Sequence, residues 1–112
     1  MTLNITHAQP RVKIANHKKD FGNIQRGEVL RHAYPITNEG DVPLVFTEAE
    51  AGCSCTTVQL PKAPVLPGKT DTVIVTFNTA SVYGRQDRVV FLSSNDPKTP
   101  AKVRFKANVS KK

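Results

Sequence analysis

Eight prolines and six glycines divide this 112-residue chain into stretches too short for substantial helices. Within those stretches apolar and polar residues alternate with the period of two that marks a half-buried strand. The alternation is cleanest from Ala101 to Val109. There Val103, Phe105, Ala107 and Val109 fall on one face, and Lys102, Arg104, Lys106 and Asn108 on the other. A segment of this kind buries one face only.

The same logic recurs upstream. Between Asp71 and Asn78, Val73, Val75 and Phe77 share a face, with Ile74 the apolar exception on the other. The run Val89-Val90-Phe91-Leu92 suggests a central strand with both faces partly covered. Leu30, His32, Tyr34 and Ile36 line one face, and Leu44 and Phe46 mark a further strand after the turn Asn38-Glu39-Gly40-Asp41. Arg11 to Ala15 is expected to open the sheet, followed by Asp20 to Ile24. Pro67-Gly68 and Asn95-Asp96-Pro97 supply turns. These signals predict one all-β domain over residues 1–112, an antiparallel immunoglobulin-like sandwich of seven or eight strands ordered from about 11 to 109. Its core is expected to hold Leu30, Tyr34, Ile36, Leu44, Phe46, Val73, Val75, Phe77, Val90, Leu92, Val103, Phe105 and Ala107, with frayed ends at the first few residues and at Ser110-Lys111-Lys112.

Sixteen basic residues against nine acidic give a net charge of +7. That balance suits an anionic partner, and Lys102, Arg104 and Lys106 form its most ordered group, projecting from one strand face. Nucleic acid is disfavoured, because the chain has five Phe, two Tyr and no Trp, and no recognition helix or stacking motif accompanies the charge. No apolar run approaches the roughly 18 residues of a membrane span, and Met1-Thr2-Leu3-Asn4 lacks the regions of a secretory signal. A monomer is expected in isolation.

Both cysteines sit in Gly52-Cys53-Ser54-Cys55-Thr56. Two thiolates one residue apart can hold a soft metal if a turn directs them together; copper(I) needs only the two sulfurs. Zinc needs four ligands, and the further nitrogen candidates His7, His17 and His32 are all remote in sequence. A Cys53–Cys55 disulfide also requires a tight turn, since extended geometry puts the two Cα atoms near the upper limit of about 6.8 Å. As plain small residues, the pair would be two reduced thiols without stoichiometric zinc, and that is the expectation. Nothing specifies catalysis. Ser54 has no identifiable base, Glu48 and Glu50 read as a solvated face, and Gly68-Lys69-Thr70 lacks the upstream glycine of a phosphate loop.

Taken in order, Phe21-Gly22-Asn23-Ile24, Ile36-Thr37-Asn38-Glu39-Gly40, Pro43-Leu44, Cys53-Ser54-Cys55-Thr56, Leu66-Pro67-Gly68 and Ser94-Asn95-Asp96 resemble the bacterial domain-of-unknown-function family fifteen-seventy-three. That family is a relative of the Hydin-like and major-sperm-protein-like immunoglobulin folds. The resemblance runs from about Val12 to Val109. It implies a seven- or eight-stranded sandwich, an exported or periplasmic parent protein, and no established reaction or cofactor. The family pattern has Cys-Gly-Cys-Thr where this chain has Cys53-Ser54-Cys55-Thr56. If that middle position needs a left-handed backbone, a serine there costs about 1 kcal/mol. The leading expectation is a non-catalytic interaction module with a protein partner. The alternatives are a soft-metal or redox-thiol domain using Cys53 and Cys55, and anionic-ligand binding by Lys102, Arg104 and Lys106.

Overall fold

The computed structural model describes residues 8–111 and folds them into two four-stranded sheets. The strands are β1 (Val12–Lys13), β2 (Lys18–Ile24), β3 (Val29–Asn38), β4 (Phe46–Glu50), β5 (Thr56–Gln59), β6 (Thr70–Asn78), β7 (Gly84–Ser94) and β8 (Ala101–Val109). One sheet runs β1-β3-β6-β5 and the other β2-β8-β7-β4. Their inward faces meet in a single apolar layer, as two half-apolar sheets must to remove those faces from water.

Period-two alternation placed the core correctly. Tyr34, Ile36, Val73, Phe77, Val90, Leu92, Val103 and Phe105 are all but inaccessible, and Leu30, Leu44, Val75 and Ala107 are buried with them. Phe46 is the one expected core residue that stays half-buried, because it stands where edge strand β4 begins and its register against β7 shifts. Val65 joins the core from outside any alternating segment. It forms an isolated bridge with Leu44, with N–H···O bonds of 2.8 and 2.9 Å, so the proline-rich stretch crosses the sandwich instead of looping away.

The pairing is antiparallel except at β2, which runs parallel to β8 in the register Lys18↔Arg104 to Ile24↔Val109. A bulge between Asp20 and Asn23 interrupts that ladder. Gly22 sits in it at φ +74°, and its N–H donates to Asp20 Oδ1 at 2.9 Å. The extra residue changes the phase of the strand, so Lys19, Phe21 and Ile24 all turn inward although they are not evenly spaced. The opening strand is shorter than expected, and only Val12 and Lys13 pair with β3. At the other end Ser110 is tied in, its N–H donating to Ile24 O at 2.7 Å, which removes it from the frayed tail. No helix among the described residues is long and apolar enough to cross a membrane.

Candidate functional site

Most of the short motifs spend their chemistry inside the fold. Asn38 is fully buried; its side-chain amide donates to Val42 O (2.7 Å) and Val65 O (2.9 Å), and its Oδ1 accepts from Gly40 N (2.8 Å) and Arg11 N (3.2 Å). Asp96 accepts from Val12 N and Lys98 N at 2.8 Å each, fastening β1 to the β7–β8 connection. Asn95 accepts from Val45 N and donates to Pro43 O. Gly68 N donates to Asn38 O at 2.8 Å, so the Gly68-Lys69-Thr70 segment is a structural turn. His32 packs edge-on against Tyr34, with centroids 4.6 Å apart, and burial together with the nearby Lys19 charge lowers its pKa.

Two places are left with chemistry unaccounted for. The first is the cysteine turn. Cys53 and Cys55 are disulfide-bonded, with Cα atoms 5.2 Å apart, which corrects the expectation of two reduced thiols. The physical reason is the turn. Gly52 takes φ +70° and Thr56 N–H donates back to Cys53 O at 3.2 Å, so the segment is not extended and the sulfurs converge. Ser54 keeps φ negative, since no residue other than glycine has a positive φ among the described residues. The departure from the family's middle glycine therefore carries no backbone strain. Both cysteines are half-buried, Cys53 between exposed Gly52 and Ser54 and Cys55 between exposed Ser54 and buried Thr56, and Cys55 N–H donates to Cys53 Sγ at 3.2 Å. Among the described residues no group of three or more His, Cys, Asp or Glu could hold a metal ion. His7 lies outside the described residues.

The second is the outer face of the β2-β8-β7-β4 sheet. Lys102, Arg104 and Lys106 do share this face, but their surroundings differ. Lys106 stands in register between Asp20 and Asp87, and Arg104 Nε pairs with Asp87 Oδ1 at 2.9 Å. Towards Lys102 the face changes character. Phe91, 40% exposed, and half-buried Val89 line an open depression of about 280 Å³ with His17, Lys18, Lys102 and Arg104. The basic half of the face is thus Lys18, Lys102 and Arg104 around an apolar patch. Sequence reasoning missed Lys18, Asp20, Asp87 and Phe91 as neighbours because strand pairing, which alternation does not encode, brings them together.

No curated protein matches the sequence. Among solved structures, a Porphyromonas gingivalis W83 protein of unknown function superposes with a TM-score of 0.79 at 20% identity, over 93% of this chain and 49% of that one. The chain therefore spans about half the length of that relative. The ASH/PapD-like domain 7 of human CEP192 superposes with a TM-score of 0.67 at 12% identity, over 98% of this chain and 96% of that one. WR4, a Caenorhabditis elegans member of the MSP family, gives 0.55 at 10% identity, over 93% and 100%. At these identities the likenesses show a shared immunoglobulin-like fold. A family model matches residues 12–109, spanning the bulge, the Asn38 hub, the cysteine turn and the Asn95-Asp96 tie, and on that match the chain belongs to DUF1573, a family of proteins of unknown function.

Proposed function

We propose that this domain is a non-catalytic protein-interaction module of a larger exported protein, docking its partner on the outer face of the β2-β8-β7-β4 sheet. The observation that carries this is Phe91, an aromatic side chain left 40% exposed beside Val89 and ringed by Lys18, Lys102 and Arg104. An aromatic anchor with a charged rim is the composition of a recognition surface. The ligand that suits it is an extended acidic peptide with one apolar side chain to cover Phe91. The exported setting is supported by the Cys53–Cys55 bond, since disulfides persist in oxidising compartments. Soft-metal binding by the same pair would belong only to the reduced chain.

Selection from a random peptide display library against the folded domain tests the reading. Acidic sequences with an aromatic or aliphatic residue should be enriched. Phe91→Ala or Lys102→Glu should weaken their binding by roughly tenfold, and the Lys102 contribution should fade at high salt. Enriched peptides indifferent to both substitutions would move the docking surface elsewhere, and an empty selection would count against a peptide-binding module.

A further inference from the structure

We propose that Cys53 and Cys55 are an exchangeable thiol–disulfide couple whose substrate is a thiol, carried by a small molecule or by another protein. The bond joins residues two apart in sequence, and a bridge closing so short a loop removes little freedom from the unfolded chain. The neighbouring structure does not depend on it. Cys55 O accepts from Asn78 N at 2.9 Å, Thr56 is buried, and β5 pairs with β6 from Thr56↔Phe77 to Gln59↔Ile74. Val58 also packs against the core. Strand β5 thus keeps its place when the sulfurs part. Both sulfur-bearing residues are half-buried and reach solvent through the turn, Cys53 between exposed Gly52 and Ser54, and Cys55 between exposed Ser54 and buried Thr56.

The hydrogen bonding separates the roles of the two sulfurs. The Cys55 N–H points at Cys53 Sγ, and an amide donor there favours negative charge on that sulfur. A substrate thiolate accordingly attacks Cys55 Sγ. A substrate–Cys55 bond forms, the Cys53–Cys55 bond breaks, and its electron pair leaves on Cys53 as a thiolate. A second substrate thiolate then attacks the substrate sulfur of the mixed disulfide and releases Cys55. In sum two thiols are oxidised to one disulfide, and the domain takes up two electrons and two protons. In the reverse direction the Cys55 thiolate opens a substrate disulfide and releases one substrate thiol, and the Cys53 thiolate then attacks Cys55 Sγ, closing the bond and releasing the second.

The folded domain is incubated in graded glutathione redox buffers, and separately with a reduced, unfolded protein rich in cysteine pairs. Each sample is then quenched by alkylation and read by mass spectrometry, with circular dichroism and urea unfolding on the reduced form. Reduced and glutathionylated domain in the first arm identifies small thiols as substrates. Disulfides formed in the second protein, matched by loss of the Cys53–Cys55 bond, identify protein thiols. In either case the reduced domain should keep its spectrum and unfold cooperatively. Single variants fix the roles: Cys53 in Cys55→Ser should react with an aromatic disulfide at neutral pH about threefold faster than Cys55 in Cys53→Ser. A bond that resists both arms until the domain unfolds, or a domain that unfolds on reduction, overturns the proposal. Either result would leave peptide docking at Phe91 untouched.

Discussion

Two side chains show how much of the molecule rests on single polar groups. Asn38 satisfies four backbone atoms from a fully buried position, and replacing it by Ala strands Val42 O, Gly40 N and Arg11 N at once, while Val65 O keeps its bond from Leu44 N. Each orphaned group costs on the order of 1 kcal/mol, so Asn38→Ala should destabilise by about 3 kcal/mol. A lower urea midpoint at unchanged slope would show it. Tyr34 is fully buried, donates from its hydroxyl to Arg104 O at 2.9 Å, and is pushed up to about 12 by burial. The unfolded phenol loses its proton near pH 10, two units before the folded one. Stability is therefore full below pH 10 and falls as pH rises towards 12, by roughly 2 kcal/mol. Tyr34→Phe should remove that alkaline phase while costing about 1 kcal/mol at neutral pH, measured by thermal unfolding across pH. His32 runs the other way. Its lowered pKa means the unfolded chain binds the extra proton first, so its contribution is present above pH 6.5 and declines on acidification.

Strand faces were legible in the sequence, and strand neighbours were not. Alternation from Ala101 to Val109 identified which side of β8 is inward because face follows from period alone. It carried no information on β2 lying parallel beside β8, nor on Val65 reaching Leu44 through a proline-rich stretch. The basic face was legible for the same reason, and its division was not, since Asp20 and Asp87 arrive beside Lys106 from other strands. The cysteine spacing left the bond open because it hinges on the turn at Gly52, which residue types do not specify. Element-level dependence can be tested at β1, a two-residue strand held partly by Asp96. Asp96→Ala should raise amide exchange at Val12 and Lys98 to that of exposed loops, with protection in β3 and β6 retained.

At the scale of the whole molecule, Phe105 marks where the two sheets are locked together, with ring centroids 5.0 Å from Phe77 and 6.0 Å from Phe21. Phe105→Ala should cost about 3 to 5 kcal/mol, read from the urea midpoint. The parallel β2–β8 pair has a mechanical consequence. Lys18 and Val109 lie at opposite ends of two strands pointing the same way. A pull on those two residues slides β2 along β8, and the bonds across the pair must fail together. Gly84 and Val109, by contrast, face each other across the antiparallel β7–β8 pair, and a pull on them opens that ladder one bond at a time. Single-molecule stretching should find a markedly higher rupture force for handles at 18 and 109 than at 84 and 109. Placed in line between tethered neighbours, the domain would act as a stiff link, extending under load only after its first-laid and last-laid long strands tear apart.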